Sequence, residues 1–262
     1  MDEIENFIKS LNNVNLDEEY AYERIILMLQ MANIHTYTYT IQKNQRVFRS
    51  RENENIDSFN SAKELACPPK ECVHKFSRVN RPLQSIFYCA DERATSYCEF
   101  MESWVEKPIG TISNITIGRW IVLKELKVII LQSREKLGDD SNAIKRNEWD
   151  HSDILLNNYL VNAFSKSAYK NKSHYILTSA IANTLLLRSE YDGIMYPCVP
   201  RNGIGFNVAF KSEVYEKGKL RLEVACRESF KTVKKYDECK ADHSSFQIID
   251  GKIKNNGQTI DW

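Results

Sequence analysis

Strand-like and helix-like segments follow one another along this chain without a regular repeat. Alternating β-branched and aromatic residues predict a strand over 35–41, and an apolar run predicts a buried strand over 85–90. Apolar residues at helical spacing predict helices over about 17–33 and 152–166. This order lacks the regular β-α-β units that build a parallel sheet. The sequence therefore predicts an α+β fold, in which a mixed β-sheet core is flanked by helices.

The chain is predicted to have three parts. Residues 1–44 form an N-terminal helical extension, because an apolar stripe at helical spacing begins within the first eleven residues. Residues 45–212 form the central domain, and residues 213–262 form a strand-rich tail packed on it. In this tail Asp250-Gly251 predicts the turn of a hairpin over 246–260, because such pairs favour tight hairpin turns.

Composition and charge exclude several classes of protein. Hydrophobic residues make up 42% of the chain and charged residues 27%, which is ordinary for a soluble globular protein. A net charge of +1 offers no broad basic field for nucleic acid. Apolar runs are shorter than the roughly 18–20 residues that span a bilayer. Because the N-terminus is acidic and polar, unlike a signal peptide, we expect a cytoplasmic protein that binds neither nucleic acid nor membrane.

Two sets of cysteine and histidine residues are candidates for a metal site or a thiol site. Cys67, Cys72 and His74 lie within eight residues and could supply three zinc ligands. A fourth ligand is not evident nearby and the spacing is unlike a usual zinc knuckle, so we predict no metal site. Cys198 could act as a thiol nucleophile with His151 or His174 as its base, although nothing in their spacing singles them out.

One set of polar residues remains after the common catalytic motifs are excluded. The chain contains no GxGxxG, GxxxxGK[ST], HExxH or GxSxG pattern. Arg78, Tyr88 and Glu99 follow one another at steps of ten and eleven, and Arg49 and Arg51 precede them. A loop, a strand and a helix that pack together can bring such residues to one place. We therefore treat them as the candidate site.

Seven short motifs resemble one known family. In chain order they are FRSR (48–51), CPP (67–69), SRVNRP (77–82), IFYCA (86–90), ATSYCE (94–99), YDGIMYPC (191–198) and GFNVAF (205–210). This order is similar to that of the RES-domain family, which is named for an arginine, a glutamate and a serine. The resemblance covers about residues 46–210, which is most of the chain.

The resemblance implies a fold similar to ADP-ribosyltransferases and an activity that destroys NAD⁺. Characterised RES domains are toxins of toxin–antitoxin pairs that cleave NAD⁺ by phosphorolysis or hydrolysis. Arg78, Tyr88 and Glu99 match the family arginine, tyrosine and glutamate, and Arg49 matches an earlier family arginine. Asn207 matches the asparagine of the last motif and is expected, with Arg49 and Tyr88, to bind the dinucleotide.

The residue types suit cleavage of the nicotinamide–ribose bond. This reaction develops positive charge on the ribose, as glycoside hydrolysis does, and the Glu99 carboxylate can stabilise that charge. Arginine forks such as those of Arg78 and Arg49 match pyrophosphate oxygens. Tyr88 can offer its ring or hydroxyl to the nicotinamide end. Because nicotinamide leaves as a neutral base, we expect no metal and no cofactor, with NAD⁺ as the substrate.

Two departures from the family pattern leave alternatives open. Cys198 stands where the family has its serine, and Ser77 replaces the glycine before Arg78. By the resemblance, we predict that Arg78, Glu99 and Cys198 are the catalytic residues. Because of the two departures, two alternative functions stay open. The protein could transfer ADP-ribose to a macromolecule, or bind a dinucleotide or a protein without turnover. The resemblance also implies a cognate antitoxin as a partner, and a homo-oligomer stays open.

Overall fold

The computed structural model describes residues 3–53, 58–104, 107–133, 137, 143–144, 149–167, 171–187, 190–236, 240–254 and 257–262. Within these ranges the α-helices are α1 (Glu3–Asn12), α2 (Ala21–Met31), α3 (Ala62–Leu65), α4 (Arg93–Trp104), α5 (His151–Ser165), α6 (His174–Leu186) and α7 (Ser212–Glu216). A 3₁₀-helix covers Lys70–Cys72.

The strands are β1 (Tyr37–Ile41), β2 (Arg46–Glu52), β3 (Ile86–Ala90), β4 (Ile112–Val122), β5 (Leu126–Ile130), β6 (Ala143–Ile144), β7 (Gly193–Pro197), β8 (Phe206–Lys211), β9 (Leu220–Tyr236), β10 (Lys240–Ile253) and β11 (Ile260–Asp261). The chain forms two compact units, each built from three separate segments. The first comprises Met1–Ile41, Pro69–Ile86 and Leu126–Pro197, and the second comprises Gln42–Pro68, Phe87–Glu125 and Cys198–Trp262.

The first unit combines helices with a small group of strands. Its strands follow the order β7-β5-β1-β6, in which β5 pairs parallel to β7 and antiparallel to β1. Helix α2 packs against α6, and α1 packs against α5. Ile25 and Leu29 of α2 are almost completely buried, as is Ile181 of α6. Burial of these apolar side chains is the main stabilising term for such a helix pair.

The second unit is dominated by antiparallel strands. Their order is β11-β10-β9-β4-β2-β3-β8, and β2, β4, β9 and β10 are joined by antiparallel ladders. Its core contains a group of aromatic rings in which Phe87 meets Trp120 edge to face, with the ring centroids 5.1 Å apart. Phe210 and Tyr215 also contact Phe87. Large rings of this kind each bury a large apolar area and contribute strongly to the stability of a core.

The structure confirms the predicted α+β class. The helices predicted over 17–33 and 152–166 correspond to α2 and α5, and the strands predicted over 35–41 and 85–90 correspond to β1 and β3. The three-part domain organisation stays a prediction. In the part of the chain that the structure describes, no helix is long and apolar enough to cross a membrane.

The hairpin predicted over 246–260 is confirmed, since β10 pairs antiparallel with β11, but its turn is not at Asp250-Gly251 as predicted. Both residues lie inside β10 and pair with β9. A Cβ on Gly251 would lie 2.6 Å from Cγ2 of Ile260 and 3.0 Å from the Trp262 ring. The strand therefore needs glycine at position 251 because the Ile260 and Trp262 side chains pack directly onto its backbone.

Candidate functional site

Strand β3 and helix α4 supply two of the predicted site residues. Tyr88 lies on β3, where its neighbours Phe87 and Cys89 are buried and its own side chain is half-buried. Helix α4 begins three residues after β3 ends and contains Glu99. The Glu99 side chain lies outside the described residues. The connection between strand and helix is short, so Tyr88 and position 99 are carried by consecutive, adjoining elements.

One side of α4 packs on the sheet of the second unit. Tyr97 and Phe100 contact a buried cluster of Ile115, Ile117 and Phe230. The hydroxyls of Ser96 and Ser50 are 2.7 Å apart, and Arg93 forms an ion pair with the buried carboxylate of Glu228. Apolar packing and buried polar contacts therefore fix the rotation of α4 about its axis, which sets the direction that its other side faces.

Asn207 lies at the beginning of β8, and Cys198 lies in the loop before that strand. Strand β8 is the neighbour of β3 in the sheet and carries Asn207, which is only 5% exposed. Cys198 is completely buried. Its N–H donates to the Gly205 carbonyl at 3.0 Å, and its carbonyl accepts from the Gly203 N–H at 2.8 Å. Residues 198–205, named here the cysteine loop, are therefore closed by hydrogen bonds between their own main-chain groups.

The cysteine loop is bound to the beginning of α4 by one side chain. Nη1 of Arg201 lies 2.6 Å from Oε2 of Glu92 and 2.6 Å from Oγ1 of Thr95. The bond with Glu92 raises the pKa of the Arg201 guanidinium. Thr95 is completely buried, so its hydroxyl is held in place between the helix and the loop. Sequence reasoning missed Arg201, because no local pattern distinguishes it from a solvated arginine.

The end of the cysteine loop is joined to the same region by the main chain. Gly205 has a φ of +75°, and a Cβ there would lie 2.4 Å from Oγ1 of Thr95. Only glycine combines this backbone angle with this close approach. Next to it, the Phe206 N–H donates to Oδ1 of Asp91 at 2.9 Å, and the Asp91 N–H donates to the Phe206 carbonyl at 3.1 Å. Burial raises the pKa of the Asp91 carboxyl.

Arg49 occupies the interior of the second unit and is 8% exposed. Its Nε donates to the carbonyls of Leu65 and Ala66 at 2.9 and 3.1 Å, and Nη1 donates to the Tyr88 carbonyl at 2.6 Å. Burial lowers the pKa of Arg49 to about 10. The guanidinium thus joins the end of α3 to β3, with two of its nitrogens engaged by main-chain oxygens. Its predicted role in binding the dinucleotide stays a prediction.

Arg78 belongs to the first unit and is 6% exposed. Its Nη1 donates to the carbonyls of Phe164 and Lys166, at 3.0 and 3.1 Å, where α5 ends. The guanidinium carbon lies 5.7 and 5.9 Å from the ring centroids of Tyr175 and Tyr196. A cation at a helix C-terminus satisfies carbonyls that have no partner within the helix. Arg78 therefore has a structural task of its own in the first unit.

Three of the candidate metal and thiol residues are His174, Cys67 and Cys72. Nε2 of His174 lies 2.8 Å from the Ala163 carbonyl, and burial together with the charge of Arg78 lowers the pKa of His174. Cys72 is exposed and Cys67 is half-buried. Among the described residues, no group of three or more histidine, cysteine, aspartate or glutamate side chains could hold a metal ion.

Four of the six predicted residues are therefore carried by contacting elements of the second unit. Tyr88 lies on β3, Glu99 on α4, Cys198 in the cysteine loop and Asn207 on β8, and α4 contacts β8 directly. Arg49 lies in the same unit, on β2, and donates a hydrogen bond to the main-chain carbonyl of Tyr88 on β3. Arg78 lies in the first unit, and its convergence with the others stays a prediction.

Comparison with known proteins adds no relative to these observations. No protein-family model matches the chain, and no curated protein matches it either.

Proposed function

We propose that this protein cleaves NAD⁺ at the nicotinamide–ribose bond, as a glycohydrolase or phosphorylase with an ADP-ribosyltransferase-like fold. The observation that carries the proposal is the packing of β3, α4, the cysteine loop and β8 within the second unit. These are the elements that bear Tyr88, Glu99, Cys198 and Asn207. The seven motifs, which occur in the order of the RES-domain family, support the same proposed function.

In the proposed reaction, the bond between C1′ of the ribose and the ring nitrogen of nicotinamide breaks. The electron pair goes to the nitrogen, so nicotinamide leaves neutral, and positive charge develops on the ribose. The Glu99 carboxylate stabilises this charge. Water or phosphate then attacks C1′ through an oxygen; attack by water also releases a proton. No general acid is needed for the leaving group.

Tyr88 and Asn207 are assigned to the dinucleotide. They lie on neighbouring strands, one half-buried and one almost fully buried. A buried amide such as that of Asn207 offers both a donor and acceptors to a ligand. The assignment of Arg78 to the pyrophosphate rests on the resemblance alone. We further propose that the activity serves as an intracellular toxin or defence effector, with an antitoxin as its partner.

The buried thiol of Cys198 favours one alternative, a domain that binds a dinucleotide without turnover. A thiol donates hydrogen bonds weakly, and it replaces the family serine at a position with no exposed surface. A domain of this kind would still bind NAD⁺. Measurement of both binding and nicotinamide release distinguishes it from an enzyme.

The test is release of nicotinamide from NAD⁺ by the purified chain, measured by liquid chromatography with and without phosphate. We expect nicotinamide in stoichiometric amounts with ADP-ribose, or with its 1″-phosphate when phosphate is the acceptor. Glu99→Gln should lower kcat by a factor on the order of 10²–10³, because the neutral amide cannot stabilise the ribose charge. Glu213→Gln changes an exposed glutamate of α7 in the same unit and serves as the matched control.

Two results would contradict the proposal in different ways. A folded wild-type chain that binds NAD⁺ by calorimetry and releases no nicotinamide would establish the binding alternative. Nicotinamide release that Glu99→Gln leaves unchanged would keep the activity and remove Glu99 from the mechanism.

A further inference from the structure

A single arginine connects the cysteine loop to the helix of the proposed catalytic glutamate. Arg201 is part of the loop, and its Nη1 bonds to both Glu92 and Thr95 at 2.6 Å. The Arg201 side chain is 24% exposed and that of Glu92 is 55% exposed. Because the Glu92 carboxylate is more than half exposed, solvent screens the ion pair and reduces its contribution to the stability of the whole unit. Thr95, in contrast, is completely buried.

The side of α4 that receives Arg201 is defined by helical spacing. Residues 92, 95 and 99 are three and four positions apart, so they lie on the same side of the helix. Tyr97, which is about 160° around the helix from position 99, packs on the sheet. Position 99 is therefore one turn beyond the residue that Arg201 binds.

Main-chain hydrogen bonds close the loop on itself, and two more of them lie within it: the Asn202 N–H donates to the Val199 carbonyl at 3.0 Å and the Ile204 N–H donates to the Arg201 carbonyl at 3.1 Å. Asn202 and Gly203 both have positive φ angles, of 54° and 84°, which lie outside the φ range of strands and right-handed helices. Gly205 lies against Thr95 without a side chain of its own. These main-chain bonds act within the loop, whereas the Arg201 side chain binds the loop to α4.

We infer that Arg201 is a positioning residue, which fixes the cysteine loop on α4 and so holds Cys198 in the arrangement that binds substrate. This inference rests on the proposed function. When Arg201 is removed, the loop is ordered only in part of the molecules, and substrate binding must complete the ordering. The apparent affinity for NAD⁺ falls in proportion to the ordered fraction. The chemical step keeps its rate, because Glu99 and its helix are unchanged.

The test compares Arg201→Ala with wild type in kinetics and in loop order. We expect the KM for NAD⁺ to rise about five- to tenfold, the combined effect of one ion pair and one hydrogen bond to a buried hydroxyl. The kcat should stay within about twofold. Arg201→Lys should recover part of the lost affinity, because an ammonium can still reach Glu92. A merely structural role would lower kcat through the folded fraction and leave KM unchanged.

Loop order is measured without substrate, by hydrogen exchange of the amides of Cys198 and Gly203. Both amides donate within the loop, so both should exchange faster in Arg201→Ala. Arg46→Ala is the matched control. It removes a half-exposed arginine that binds Glu223 in the same unit, at 2.9 Å, and should change neither exchange nor KM.

The outcomes separate this inference from the proposed function. Unchanged KM in Arg201→Ala, or unchanged loop exchange, would overturn the positioning role while nicotinamide release by the wild type stands. Absence of nicotinamide release and of NAD⁺ binding in the wild type would overturn the proposed function, and the role of Arg201 in substrate binding with it.

Discussion

The two arginines that the resemblance assigns to pyrophosphate are both buried, one in each compact unit. Arg78 binds carbonyls at the end of one helix, α5, and lies near two tyrosine rings. Arg49 binds carbonyls from two elements, the end of α3 and strand β3. Arg78 binds the last carbonyls of a helix, whereas Arg49 joins the end of α3 to strand β3, which carries Tyr88. A buried arginine in a candidate site is therefore not evidence of phosphate binding by itself.

The largest effect is expected from Arg49→Met. The substitution leaves three main-chain carbonyls without their donor, and two of them belong to completely buried residues, Leu65 and Ala66. We expect the free energy of unfolding to fall by about 2–4 kcal/mol, measured by urea denaturation. Arg46→Met, on the same strand but half-exposed, should cost less than about 1 kcal/mol. Equal losses in the two variants would contradict the structural role of Arg49.

A smaller effect is expected from Arg78→Lys. An ammonium retains the charge at the end of α5 but loses the planar fork, so stability should fall by about 1 kcal/mol. If Arg78 also binds pyrophosphate, the KM for NAD⁺ should rise and that for nicotinamide riboside should not. Arg81→Lys, at an exposed position three residues later, is the control. Lower stability with an unchanged KM for NAD⁺ would make Arg78 a helix-capping residue alone.

The smallest effect is expected from Cys198→Ser, which restores the family residue in nearly the same volume. A hydroxyl that holds substrate should raise NAD⁺ cleavage severalfold, because a neutral hydrogen bond contributes about 1 kcal/mol. Cys89→Ser changes another buried cysteine of the second unit, on β3, and should not raise activity. We also expect slow alkylation of Cys198 compared with the exposed Cys72, since the Cys198 thiol has no accessible surface.

An inactive but folded Cys198→Ser would reverse this assignment. Serine has a far higher pKa than a thiol and would not replace a thiol nucleophile at neutral pH. That result, with inactivation of the wild type by alkylation, would support the thiol alternative in place of the family serine role.

Local pattern was sufficient for the types of several elements. The alternation of Tyr37–Ile41 and the apolar run at Ile86–Ala90 predicted strands, because side-chain alternation and β-branching act within a few residues. Tyr88 and Asn207, which belong to two of the family-like motifs, lie on strands β3 and β8, which are neighbours in the sheet. The length of strands such as β9 is set by the tertiary structure, because cross-strand pairing with β4 and β10 extends them beyond their local preference.

By itself the sequence determined that this chain is α+β and where several of its helices and strands lie. It also determined the order in which the candidate polar residues occur along the chain. These properties depend on neighbours along the chain. Only the tertiary structure decided that Arg201 binds Glu92 and Thr95, that Arg78 binds the end of α5, and that Gly251 lies in a strand. Each of these depends on a partner that is distant in sequence. Arg78 and Phe164 are 86 residues apart, and a guanidinium selects among many carbonyls and carboxylates only when packing has brought one within reach.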